Sequence, residues 1–127
     1  MNEVDSRIAD ATEVLRQHGA VFAYLHGSRA SGAADAQSDV DIAAYFDEPH
    51  PEAFEVLLPV GVDLVILNHA PLELTGRIAL QGKLLFERDP DARVVWEATT
   101  RKIYFDELPR MMGAHRDFAE AVLCRGG

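Results

Sequence analysis

Four short runs rich in apolar residues, 21–25, 40–46, 60–67 and 83–87, are separated by stretches with helical spacing. Runs of this length are too short for buried helices and suit strands, so the chain must build a sheet whose connections include helices. Val4, Ile8, Ala11 and Leu15 recur at helical spacing ahead of Gly19, which predicts a first helix over residues 5–18. Val21-Phe22-Ala23-Tyr24-Leu25 then forms a first strand, and 27–38, small and polar, forms a loop with room for a helical turn. A second strand starts near Asp39, a short helix covers 52–58, and 60–67 makes a third strand interrupted by Asp63. Pro71 opens a helix that runs to about Gln81, and Lys83 to Glu87 is the fourth strand. Beyond Pro90 the pattern is helical to the end, with Pro109 imposing a kink or a new start.

This order predicts an α/β (α+β) fold, a small mixed sheet flanked by helices with further helices at the C-terminus, as a single domain over 1–127. The 48% hydrophobic and 26% charged composition fits a packed core and excludes a disordered or collagen-like chain. Acidic residues outnumber basic ones 21 to 12, so the surface repels a nucleic-acid backbone and no direct binding of duplex is expected. A nucleotide substrate remains compatible, because divalent cations reverse the local sign of a carboxylate-lined pocket. The single cysteine, Cys124, forms no internal disulfide, which points to the cytoplasm. No apolar run approaches a membrane span, and the acidic, polar start is unlike a signal peptide.

Asp39 and Asp41 flank Val40 at the start of a strand, where side chains two residues apart share a face about 7 Å apart. An isolated pair of this kind is also a common solvated strand start, since Asp favours turns. Asp63 interrupts an apolar run, where a carboxylate is costly to bury unless it is paired, protonated or bound to a cation, and strand alternation also offers it an exposed face. If the third strand lies beside the second, Asp63 reaches the same pocket as Asp39 and Asp41. Three oxygen ligands without a thiolate prefer magnesium or manganese. Gly27-Ser28, after the first strand, offers backbone N–H groups and a hydroxyl to a phosphate, or simply makes a tight turn.

Other chemistries are weaker. The segment is neither a P-loop nor a dinucleotide fingerprint, and His26-Gly27-Ser28-Arg29-Ala30 lacks the glycines of a nucleophile elbow. His18, His26, His50, His69 and His115 form no i, i+4 pair, so zinc is not expected and most of them read as surface or packing residues. Trp96, Tyr104 and Phe105 read as core or partner-facing anchors. With Met111 and Met112 they exceed what one helix needs for its own packing, and so predict a partner-binding surface.

Taken together, Gly27-Ser28, Asp39-Val40-Asp41 and Asp63 resemble the signature of the polymerase-beta-like nucleotidyltransferase superfamily. HGSRASGAADAQSDVDIAAYF in particular is similar to the GSRARG…SDxDL element of the minimal nucleotidyltransferases of the MntA type, which act as antitoxins to HEPN-domain toxins. The likeness runs from the first strand through Asp89, and the C-terminal helices match only in character. Where the family often carries a basic residue, this chain has Ser31. The resemblance implies a magnesium-dependent enzyme, with two ions and manganese as an alternative, that transfers AMP from ATP to a protein hydroxyl. The acceptor it implies is a tyrosine of a cognate HEPN toxin. Asp39 and Asp41 would hold metal on the triphosphate, Asp63 would complete a second metal site and help to activate the hydroxyl, and Gly27 and Ser28 would grip phosphate. Two alternatives are a noncovalent antitoxin with a vestigial site, and AMP transfer to a small-molecule hydroxyl.

Overall fold

The computed structural model describes residues 3–27 and 40–126, with side chains through Gly113. The elements are α1 (Glu3–Gln17), β1 (Ala20–His26), β2 (Val40–Phe46), β3 (Val62–Ile66), α2 (Leu72–Gln81), β4 (Lys83–Glu87) and α3 (Pro90–Gly126). The strands make one sheet in the order β3-β2-β1-β4. β1 is antiparallel to both β2 and β4, and β2 is parallel to β3, so the sheet is mixed as the sequence predicts. The expected turn over 27–38 lies, after Gly27, outside the described residues.

Helices cover both faces of this sheet. On one side Val4, Ala11 and Leu15 of α1 pack with Ala23, Leu25, Val40, Ile42, Ala44 and Phe46. On the other, Ile78 and Leu74 of α2 and Trp96 of α3 pack with Phe22, Tyr24, Ala43, Tyr45 and Val65. Alternation along the strands sorts residues between the two layers, and each large side chain buried this way contributes about 1.5 to 3 kcal/mol. α2 and α3 approach closely because residue 76 is glycine: a Cβ there would overlap the ring of Tyr104. Asn68 fixes the far end of β2, its amide pairing with both the N–H and the carbonyl of Phe46 at 2.9 Å.

Three elements differ from the sequence expectation. The helix over 52–58 is a single 3-10 turn, Ala53–Glu55, because the segment buries little besides Val56 and has no apolar face to lengthen it. The third strand is the shorter Val62–Ile66, since Val60 and Gly61 form the turn that leads into it. Finally, α3 makes no new start at Pro109 and runs through it. The missing N–H would have served the carbonyl of Phe105, an exposed residue whose backbone water can satisfy.

The N-terminus of α3 is well specified. The Asp89 carboxylate accepts from the N–H of Ala92 at 3.1 Å and Pro90 occupies the first helical position, as a capped helix start requires. Along this helix the aromatic residues divide. Trp96 packs its ring 5.4 Å from Phe22 and 5.7 Å from Tyr24, Tyr104 is half-buried against α2, and Phe105 and Met112 are exposed. Among the described residues no helix is long and apolar enough to cross a membrane.

Candidate active site

Sheet register decides which polar residues meet. Asp41 on β2 stands directly opposite Asp63 on β3, and on the other side opposite His26 at the end of β1. Directly paired residues point to the same face with backbones about 4.8 Å apart, so the three form one row across the sheet. The row lies on the α2 side, next to the apolar row Tyr24, Ala43 and Val65. Asp41 and His26 are half-buried and Asp63 is exposed. Asp63 thus takes the exposed face that its alternation with Val62 and Leu64 allows, and avoids the cost of a buried carboxylate.

The main chain closes on this row where β1 ends. Gly27 has a φ of 74°, and a Cβ there would sit 2.8 Å from the Asp41 Oδ2. Only glycine fits on both counts: the backbone is left-handed, and the carboxylate occupies the space a side chain would need. Ser28 and Asp39, the other two expected site residues, lie outside the described residues, as do Arg29 and Ser31. The structure therefore brings together Gly27, Asp41 and Asp63.

His26, one of five histidines most of which read as surface or packing residues, completes the row. Its Nε2 is shielded from solvent yet has no hydrogen-bond partner among the described residues. Burial pushes the imidazole below its ordinary range, against the opposing pull of Asp41 and a hydrogen bond with the Ile42 backbone, while the Arg77 charge adds to the lowering. The ring is therefore held toward its neutral form. In the sequence, its alternation with Tyr24 and its place just before Gly27 were the available signals.

Chemically, the row presents hard anionic oxygens on two adjacent strands, with a glycine pressed against one of them. This donor set fits magnesium or manganese and is unsuited to soft metals. Among the described residues no group of three or more metal-ligating side chains is assembled, and the third expected carboxylate is Asp39.

A family model described as Polymerase beta, Nucleotidyltransferase matches residues 10–91, which span all of β1, β2, β3, α2 and β4. Several solved structures share the fold. A chain of a toxin–antitoxin structure with AMP-PNP matches with a TM-score of 0.72 and 23% identity, over 88% of this chain and 98% of that one. A chain of a toxin–antitoxin MntA–HepT structure matches with a TM-score of 0.68 and 21% identity, over 91% and 98%. A chain from the complex of a tri-AMPylated Shewanella oneidensis HEPN toxin with MNT antitoxin gives the same TM-score of 0.68 and identity of 21%, over 91% and 98%. Among curated proteins the search gave no match.

Proposed function

The chain belongs to the polymerase beta nucleotidyltransferase family, and from that premise we propose that it transfers AMP from ATP to a tyrosine hydroxyl of a cognate HEPN-domain toxin, acting as its antitoxin. The observation that carries this reading is the in-register pair Asp41 and Asp63 on parallel strands, with Gly27 packed against the Asp41 carboxylate. The tri-AMPylated toxin found with the structurally similar MNT antitoxin supports the choice of acceptor.

In this reading Asp41, with Asp39, would hold magnesium, and Asp63 would complete a second metal position. The metal supplies charge neutralisation on the triphosphate and polarises the phosphoryl oxygens. Gly27 and Ser28 bind phosphate where β1 ends, the glycine allowing the backbone to come close. The acceptor oxygen attacks the α-phosphorus, the bond from that phosphorus to the bridging oxygen breaks, and pyrophosphate leaves with the electron pair. The hydroxyl proton passes to the Asp63 carboxylate. The exposure of Asp63 suits this role, since a side chain carried by another protein has to reach it.

The test is incubation of the protein and its HEPN partner with ATP labelled at the α-phosphate and magnesium. Wild type should label the toxin. Asp41→Asn with Asp63→Asn should remain folded and lose labelling by about a hundredfold to a thousandfold per carboxylate, the scale for removing one electrostatic stabiliser of a transition state. Undiminished labelling by the folded variant would refute the assignment. Full protection of cells by a variant that no longer labels would favour a noncovalent antitoxin.

A further inference from the structure

The charge of the chain is concentrated in one stretch. Residues 30–76 hold 9 acidic residues and no lysine or arginine, while the remainder is balanced at 12 of each sign, so this stretch carries the whole formal charge of -9. It includes β2, β3 and the connection between them.

That connection is also where apolar side chains are left in solvent. β2 and β3 are parallel, so residues 47–61 have to cross from the end of one strand to the start of the other, and β3 is an edge of the sheet. Val56 is buried and Leu58 half-buried in the layer that α1 covers, whereas Phe54, Leu57 and Val60 are 81%, 82% and 94% exposed. Single exposed apolar residues are ordinary on a folded chain. Three large ones, nearly bare and within one short connection, mark an interaction surface.

This surface is fixed beside the carboxylates. The Val40 N–H donates to the Gly61 carbonyl at 2.8 Å and the Val62 N–H to the Pro59 carbonyl at 3.2 Å, which ties the turn carrying Val60 to the start of β2, next to Asp41. Arg7 of α1 reaches the Val60 carbonyl at 3.5 Å. From Val60 the chain arrives at Asp63 in three residues, a span of at most about 10 Å. A partner seated on this edge is therefore within reach of the exposed Asp63 carboxylate.

The sign of the charge selects the occupant. A two-fold contact with a second copy would set one acidic stretch against another, and nucleic acid or an anionic membrane would meet the same repulsion. A protein face with an apolar centre and a basic rim matches both the bare side chains and the surrounding carboxylates. We infer that the edge carrying Phe54, Leu57 and Val60 is the docking surface for a basic face of the protein that bears the acceptor hydroxyl. The inference rests on the transfer reading above for the identity of that protein, and adds where on this chain it sits.

Titration calorimetry of the HEPN partner, without nucleotide, into the intact chain tests this on wild type, on Phe54→Ser with Leu57→Ser and Val60→Ser, and on Glu52→Gln with Glu55→Gln. The serine variant should bind about a hundredfold more weakly, the scale of truncating a few interface anchors, with melting temperature and magnesium-ATP affinity unchanged. Glutamine preserves the reciprocal hydrogen bonds that Glu52 and Glu55 make across the 3-10 turn, so the second variant should lose a few-fold in affinity and show a shallower dependence on salt. Wild-type affinity in the serine variant would overturn the inference, and labelling of the toxin by wild type would leave the transfer reading standing. Wild-type binding that salt does not weaken would overturn the basic partner face. A wild-type dimer that the serine substitutions dissolve would make the occupant a second copy and overturn the inference as well. Docking that the serine variant loses, with no labelling by wild type, would uphold the surface and overturn the transfer reading.

Discussion

Tyr24 and His26 lie two residues apart on β1 and face the same side of the sheet, yet their surroundings are opposite. The Tyr24 hydroxyl donates to Glu97 Oε1, whose other carboxylate oxygen meets Arg93 at 3.2 Å and Arg101 at 3.5 Å. Arg93 continues to Glu87 on β4, and Arg101 donates to the Ala79 carbonyl on α2 at 2.8 Å. Burial and the Glu97 carboxylate push the Tyr24 hydroxyl well above the ordinary phenol range, which keeps it a donor. Around His26, by contrast, a shielded nitrogen goes unpartnered among the described residues, and two carboxylates share one row. The network satisfies its polar groups and ties α2 and α3 to the sheet. The row leaves the His26 Nε2 unpaired among the described residues and sets two carboxylates side by side, and such local inconsistency is characteristic of a ligand site.

Gly27→Ala attacks the row most directly. It should cost about 1 to 2 kcal/mol of left-handed backbone strain, to which overlap with Asp41 adds. Because the carboxylate must move, AMP transfer should fall further than stability does. Chemical denaturation alongside labelled-ATP transfer checks both, and a variant with normal stability and transfer would mean that the loop does not close on Asp41.

The network should respond in the reverse manner. Tyr24→Phe keeps the ring against Trp96 and removes only the donor to Glu97, so it should lower stability by about 1.5 kcal/mol and leave magnesium-ATP affinity unaltered. A loss of affinity as large as the loss of stability would show that network and row are one unit.

These two regions were not equally readable from sequence. The short apolar runs and their punctuation announce all four strands, and Asp41 and Asp63 stand out because each breaks an apolar alternation. That the two carboxylates pair is set by the parallel register of β2 and β3, which no local pattern encodes. The Tyr24–Glu97 bond spans 73 residues and is invisible to periodicity for the same reason. Of the two outcomes that Pro109 allows, a kink or a new start, the new start does not occur, because a helix break is a local rule and α3 continues through the proline where the backbone is exposed.

His26→Phe should have the smallest effect on stability. It removes a shielded Nε2 that has no partner among the described residues but also gives up the hydrogen bond with the Ile42 backbone, so the net change should stay within about 1 kcal/mol. Wild-type stability should also fall as pH drops below the ordinary imidazole value of 6.5, because burial lowers the folded pKa and the unfolded chain takes up the proton first. Asp41 and Arg77, the charged groups that act on this ring, pull in opposite directions. The variant should lose that part of the pH dependence, which denaturation at pH 5 and 7.5 would measure, and an unchanged profile would place the acid sensitivity elsewhere.

The most direct test of the whole account is calorimetric titration of ATP, with magnesium and with EDTA, into wild type and Asp41→Asn with Asp63→Asn, with a melting curve for each. The account predicts that wild type binds ATP only when magnesium is present, because carboxylates and triphosphate repel one another without it. It predicts further that the double variant does not bind and melts at the same or a slightly higher temperature, since two like charges have been removed from one row. Equal ATP affinity in EDTA, or a marked fall in melting temperature with binding intact, would contradict it and make the two carboxylates part of the scaffold.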